Sequence, residues 1–324
     1  MKKILFTLFA GSIGLKSSGQ EHTATITGDD MNQGEKLIEA YFTPMGESFG
    51  SGLTSGWYNT AKPHSLGGVD LTFTLNTVII PNSAETFNIK EAGGDVFTSN
   101  SEEASTIFGS SETTEMTYNP SLSPATTGDP VILTTFDMPG GFETLAMPLP
   151  ILQAGIGLIK NTAIDIRYMP MLNLGDVGKV NLFGVGVKHD LLQWIPGIGD
   201  GVPMSLSLQG GYTTLDTELK TAGQEVSLNT KATTINLVAS RKLLMVTGYA
   251  GVGYNSSTTN FSADADFELN GIKFQERIIM DFESKNNLRA NVGLRFNITL
   301  LTIQADYTFA EYPTATLGVG VSLR

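Results

Sequence analysis

Cysteine is absent from the whole chain, so the protein has no disulfides and cannot be a lipoprotein anchored through a thiol. Long hydrophobic runs are equally scarce. After the first fifteen residues nothing approaches 18 consecutive apolar positions, which excludes a helical membrane span. Histidine occurs three times, at His22, His64 and His189, too far apart in sequence to suggest a metal site. No H-E-x-x-H, Walker or dinucleotide-binding pattern is present, and no cofactor or metal is expected. Basic residues number 20 against 32 acidic ones, for a net charge of −12 and a pI near 4.7. That balance excludes a nucleic-acid partner, which would need a basic footprint.

What the chain has instead is strict alternation. Leu288, Ala290, Val292, Leu294, Phe296 and Ile298 take turns with Arg289, Asn291, Gly293, Arg295 and Asn297. The pattern resumes from Leu301 to Phe309 and from Leu317 to Leu323. A period of two is that of a strand. Mean hydropathy is +0.03 despite 36 glycines and the acidic excess. A transmembrane barrel reconciles these values, because only every second residue must face lipid. A soluble β-sandwich also alternates, but does not need so many successive long amphipathic strands.

The other end of the chain supplies the address. Met1-Lys2-Lys3 is a basic start, Ile4 to Leu15 an apolar core, and Ser17-Ser18-Gly19 a small-residue stretch. This predicts a secretory signal peptide over residues 1–19 and, with the strands, an outer-membrane location. Residues 20–62 form an N-terminal segment. In it Leu37, Ile38, Tyr41 and Phe42 predict a short amphipathic helix from Gly34 to Phe42, ending before Pro44, at or in the periplasmic mouth. The Gly/Ser-rich stretch from Gly46 to Lys62 reads as a connection to the first strand. Residues 63–324 form the barrel, with a long insertion at 93–147 whose prolines and Gly140-Gly141 break the rhythm. The acidic cluster Glu91–Glu115 reads as a solvated loop. At roughly 17 residues per strand and turn, the barrel should have about twelve antiparallel strands, or fourteen if the insertion hides a hairpin.

If that register is right, Asp165, Arg167, Lys188, Arg289, Arg295 and Asp306 face the lumen. They either pair to stiffen the barrel or line a polar path. Tyr168, Trp194, Tyr212, Tyr249, Tyr254, Tyr307, Phe309 and Tyr312 suggest aromatic girdles at the two interfaces. His189-Asp190 invites a catalytic reading, but adjacent strand residues point to opposite faces. No convergent Ser/His/Asp set appears elsewhere, so the chain does not read as an enzyme.

Several motifs taken together resemble a known family: Gly56-Trp57-Tyr58-Asn59-Thr60-Ala61, Asp165-Ile166-Arg167-Tyr168-Met169-Pro170, and the run from Gly184 to Pro196 containing His189-Asp190-Leu191-Leu192-Gln193-Trp194. With the signal and the mouth helix, they are similar to DUF6588, an uncharacterised outer-membrane family of Bacteroidota. That family in turn distantly resembles the outer-membrane transporters of long-chain fatty acids and aromatic hydrocarbons, fourteen-stranded barrels with an N-terminal hatch in the lumen. The resemblance implies passive transport or binding of small solutes, hydrophobic ones among them. It further implies contact with outer-membrane lipid and lipopolysaccharide and folding by the barrel-assembly machinery. The alternative is a closed structural or adhesion barrel that works through its exposed loop.

Overall fold

The computed structural model describes residues 28–119, 134–173, 178–195, 203–221, 224–269, 272–283 and 288–323. The expected signal peptide lies outside them. Helix α1 spans Gly28–Thr54 and a short α2 spans Ile89–Gly93. The strands are β1 (Val69–Ile79), β2 (Thr86–Asn88), β3 (Phe97–Thr98), β4 (Glu103–Ser105), β5 (Thr114–Tyr118), β6 (Thr134–Met138), β7 (Ala146–Leu158), β8 (Thr162–Asn173), β9 (Gly178–Asp190), β10 (Ser205–Thr221), β11 (Gln224–Leu243), β12 (Val246–Leu269), β13 (Ile272–Glu283), β14 (Leu288–Ile298), β15 (Leu301–Phe309) and β16 (Thr314–Leu323).

Ten of these close on themselves in the order β1, β7, β8, β9, β10, β11, β12, β14, β15, β16, every neighbour antiparallel. The seam is the pairing of β1 with β16, from Val69↔Leu323 to Val78↔Thr314. The barrel therefore has ten strands rather than the expected twelve. Two features account for the overcount. Residues 243–269 are long enough for two strands of ordinary length, yet they hold one, β12, of 24 residues. The next, β13, pairs only with the far half of β12, while β14 takes over the near half from Tyr254↔Leu288. The region around 85–90, a second stretch that alternation would count as a barrel strand, holds β2 and the start of α2 and lies outside the barrel sheet.

The wall alternates as a barrel in lipid must. Leu71, Phe73, Ile166, Val185, Leu237, Val292 and Val319 are all exposed outward. Their chain neighbours Thr72, Thr74, Arg167, Asn236, Asn291 and Gly320 turn inward and are buried. The apolar band ends abruptly at Tyr168, Phe183, Tyr212 and Tyr254. Beyond it, outward positions become polar, and Lys179 meets Glu218 at 3.2 Å. Trp194 is exposed at the opposite end, in a 3-10 turn over Leu192–Trp194. Tyr249 and Tyr312 depart from the girdle expectation, since both are buried inside. No described helix is long and apolar enough to cross a membrane.

The two ends of the barrel differ. Where β1 begins and β16 finishes, the turns at 159–161, 244–245 and 299–300 are short. At the other end β10, β11 and β12 run on for 17, 20 and 24 residues, and residues 80–119 and 134–145 fold into a cap. The cap holds a β2–β4 pair, α2 and a three-stranded β3–β5–β6 sheet. Much of the acidic stretch read as a loop is thus structured, with Val96, Phe97, Ala104, Ile107 and Phe108 buried. The cap packs on the first half of α1: Leu37, Tyr41 and Met45 share an apolar core with Ile89, Phe97, Ile107, Met116, Phe136 and Met138.

Helix α1 overturns the short mouth helix. It runs 27 residues with Pro44 inside it, although an interior proline forfeits a backbone hydrogen bond and usually breaks a helix. Enclosure outweighs that cost, because the helix is wrapped by cap and wall. Its second half, Gly46 to Thr54, is rich in glycine and serine and has poor helix propensity. Small side chains are what allow a helix to fit inside so narrow a barrel. Serine and threonine hydroxyls bond back along the turn, as from Ser48 to the Pro44 carbonyl at 2.8 Å and from Ser55 to the Ser51 carbonyl at 2.9 Å.

Candidate functional site in the occupied lumen

The last carbonyls of a helix have no partners within it and must find them elsewhere. Here α1 ends inside a protein wall, and the wall supplies the donors. Arg167 on β8 gives Nη1 to the Leu53 carbonyl at 2.7 Å and Nη2 to the Ser55 carbonyl at 2.8 Å. Its Nε binds Gln153 at 2.9 Å, and its guanidinium lies over the Trp57 ring, 3.7 Å from the centroid. Arg289 on β14 donates Nη1 to the Thr54 carbonyl at 2.5 Å and Nη2 to Thr308 at 3.1 Å. Asn76 on β1 donates to the Gly52 and Ser55 carbonyls at 2.8 and 3.1 Å. Two cations thus sit at the negative end of the helix dipole, the arrangement that stabilises both.

Gly56 then turns the chain with φ +70°, a backbone region that strains residues bearing a Cβ. The indole of Trp57 enters a notch in the wall between β9 and β10. A Cβ on Gly186 would come within 2.6 Å of that ring, and one on Gly211 within 2.5 Å. Tyr58 donates to Asn291 at 2.8 Å. Asn59 bonds Gln304 through its amide nitrogen and accepts from Arg295 Nη1 at 2.6 Å. The Ala61 amide donates to Ser240 at 2.9 Å. His64 Nε2 lies 2.8 Å from Asp70 at the start of β1. Residues 28–68 therefore run through the barrel from one end to the other.

The six residues singled out in the sequence are all buried on the inner face. Arg167, Arg289 and Arg295 hold the N-terminal segment. Asp306 accepts from Tyr249 at 2.9 Å. Asp165 and Lys188 line a cavity of about 10 Å³ with His64, Asp70, Trp57 and Gln153, room for about one water molecule. Asp165 stands across Gly155 from Asp70 in the sheet register. Sequence reasoning missed Asn76, Trp57 and the notch glycines as parts of this site. The available signal was glycine at successive inward positions, Gly184 and Gly186, with Gly211 on the next strand.

His189 is structural. Its Nε2 accepts from Trp194 at 2.8 Å and its Nδ1 faces Thr162 at 2.8 Å. Asp190 accepts from the Leu192 amide at 2.8 Å. The pair secures the turn that carries Trp194, and neither side chain is placed for catalysis. Among the described residues no group of histidine, aspartate or glutamate could hold a metal.

Several of the wall's inner polar atoms take no partner from the segment in the lumen. They include Ser207 Oγ, Gln209 Nε2, Thr213 Oγ1 and Thr217 Oγ1 on β10, and Asn236 Oδ1 on β11. Buried polar groups are normally paired. A polar wall with spare hydrogen-bonding capacity suits contact with water.

Several solved structures are similar to this chain at low sequence identity. The attachment invasion locus protein Ail of Yersinia pestis is 9% identical, with a TM-score of 0.27, covering 80% of this chain and 98% of that one. The translocator domain of the autotransporter NalP from Neisseria meningitidis is 10% identical, with a TM-score of 0.28, covering 93% and 100%. The toluene transporter TodX of Pseudomonas putida is 8% identical, with a TM-score of 0.23, covering 79% and 88%. Among curated protein sequences nothing matches. One family model, described as a family of unknown function, matches residues 1–323. The match spans nearly the whole sequence, so the chain belongs to that family, DUF6588, and is an outer-membrane protein.

Proposed function

We propose that this barrel passes small solutes passively across the outer membrane and is closed at rest by its own residues 28–68. The observation that carries this reading is the chemistry between plug and wall. From Leu53 onward the contacts are mainly hydrogen bonds from wall side chains to the plug, and such bonds exchange with water at small net cost. The wall's unpartnered polar atoms support the same reading. A polar lumen favours polar or amphipathic solutes over purely hydrophobic ones. In this reading Arg167, Arg289 and Arg295 latch the plug at rest and line the path once it moves. Asp165, Lys188 and Asp306 complete the charge along that path. The remaining partners are those of outer-membrane barrels in general: lipid, lipopolysaccharide and the assembly machinery.

A second reading is favoured by the cap. The apolar cluster joining α1 to residues 80–119 and 134–145 is a folding core rather than a gate, and supports a closed barrel that presents the cap at the surface. Planar-bilayer recording separates the two. The intact protein, the Arg167→Ala/Arg289→Ala double variant and protein lacking residues 20–62 are compared, each first shown to be folded. Rare openings in the intact chain, frequent ones in the double variant and a permanent pore after deletion are expected. Silence in all three leaves only the closed-barrel reading standing.

A further inference from the structure

Bacterial barrels keep short turns in the periplasm and longer loops outside. By that rule the end with turns 159–161, 244–245 and 299–300 is periplasmic, and the capped end with the protruding β10–β13 is extracellular. Both barrel termini, Val69 and Leu323, lie together at the periplasmic end, as an even number of strands requires.

The plug runs the other way from a segment that enters through the periplasmic mouth. Its first turns lie among the extracellular elements. Gly34 lies against Phe97, the Tyr41 hydroxyl donates to the Gly140 carbonyl at 2.9 Å, and the Phe42 ring meets Phe261 on the protruding part of β12, centroids 4.8 Å apart. Its contacts then descend in order: Ser51 with Thr314, Thr54 with Arg289, Ala61 with Ser240. They end at His64 with Asp70, beside the start of β1. A hatch rising from the periplasm would have to double back to reach Val69, and this chain does not.

We infer that the chain occupies its barrel from the outside inward, so that the barrel presents the N-terminal end of α1 at the cell surface. The barrel then has a second function that is independent of conduction: delivering its own N-terminal end to the exterior. It holds that end in place through the arginine-capped helix and the cap.

The absence of cysteine makes the test direct. Glu35 near the start of α1 and Lys160 in the β7–β8 turn are both exposed. Glu35→Cys and Lys160→Cys are made separately in the full chain, and folding is verified by heat-modifiable gel mobility. Intact cells are treated with a membrane-impermeant maleimide, then again after the outer membrane is permeabilised. Glu35→Cys should label on intact cells, and Lys160→Cys should show no labelling until permeabilisation. The reverse pattern, equal labelling of both on intact cells, or a Glu35→Cys that stays unlabelled throughout would each overturn the inference. As a second arm, an epitope inserted between residues 27 and 28 should bind antibody on intact cells. A folded, tagged protein that binds only after permeabilisation would also overturn it.

Discussion

Arg167 on β8 and Leu53 at the end of α1 are joined by a 2.7 Å hydrogen bond across 114 residues of sequence. The same guanidinium also bonds Ser55 and Gln153 and covers Trp57. One side chain therefore satisfies two orphan helix carbonyls and packs on the residue that follows. Arg167→Ala should loosen the plug by about 3 kcal/mol, the scale for leaving buried acceptors unpaired after a charged donor is removed. Arg167→Lys should recover only part of this, because an ammonium cannot span both carbonyls as the planar fork does. Protease sensitivity of residues 28–68 in folded, detergent-solubilised protein measures both. Equal protection of wild type and Arg167→Ala would show that the latch carries no such weight.

The Trp57 notch predicts a size limit. Gly211→Val places side-chain atoms where the indole stands, and overpacking of this kind costs roughly 1–3 kcal/mol. The variant should displace the plug while leaving the ten-stranded sheet intact. Trp57→Ala in the same chain should relieve the clash, giving a favourable coupling in a double-mutant cycle. Strict additivity of the two changes would mean that ring and notch do not meet.

Pro44 offers a gain of stability. Replacing it with alanine restores a backbone donor within α1, and interior prolines cost up to about 3 kcal/mol. Pro44→Ala should raise the urea concentration at which the cap and plug unfold, read by tryptophan fluorescence of Trp57. An unchanged or lowered midpoint would indicate that the helix uses a bend at this position.

The lipid face is tested by Val319→Arg. Val319 is exposed near the middle of β16's apolar row. An arginine near the bilayer midplane should cost roughly 2–4 kcal/mol. Folding yield into lipid vesicles should fall accordingly, whereas Lys231, already a cation on the outer face of β11 beyond the apolar band, should tolerate arginine freely.

The strands from β14 to β16 were legible because their alternation is strict and each turn is short. The lumen side was less so, since its partners are distant in sequence. Nothing near Arg289 says that it will meet the Thr54 carbonyl. The plug was the hardest part to see. Gly46, Gly50 and Gly52 with Ser48 and Ser51 resemble a linker by propensity, and only the confinement of a ten-stranded lumen makes a helix of them. The strand count failed for a related reason. Alternation reports which way side chains face but not where the membrane stops, so the 24 residues of β12 look like two strands.

The pairing of β1 with β16 has a consequence for how the protein is made. The plug is the earliest part of the barrel domain to be synthesised, yet Thr54 and Asn59 bond Arg289 and Arg295 across 235 and 236 residues. Contacts of such long range form late, because the intervening loop must first be closed. The segment in the lumen is not fully held until the last strands are present, and once the seam from Val69↔Leu323 is zipped, inserting it afresh would mean threading it through a closed ten-stranded barrel. Assembly must therefore wrap the sheet around the helix before closure, and a barrel sealed without its helix inside would have no simple route to the native state.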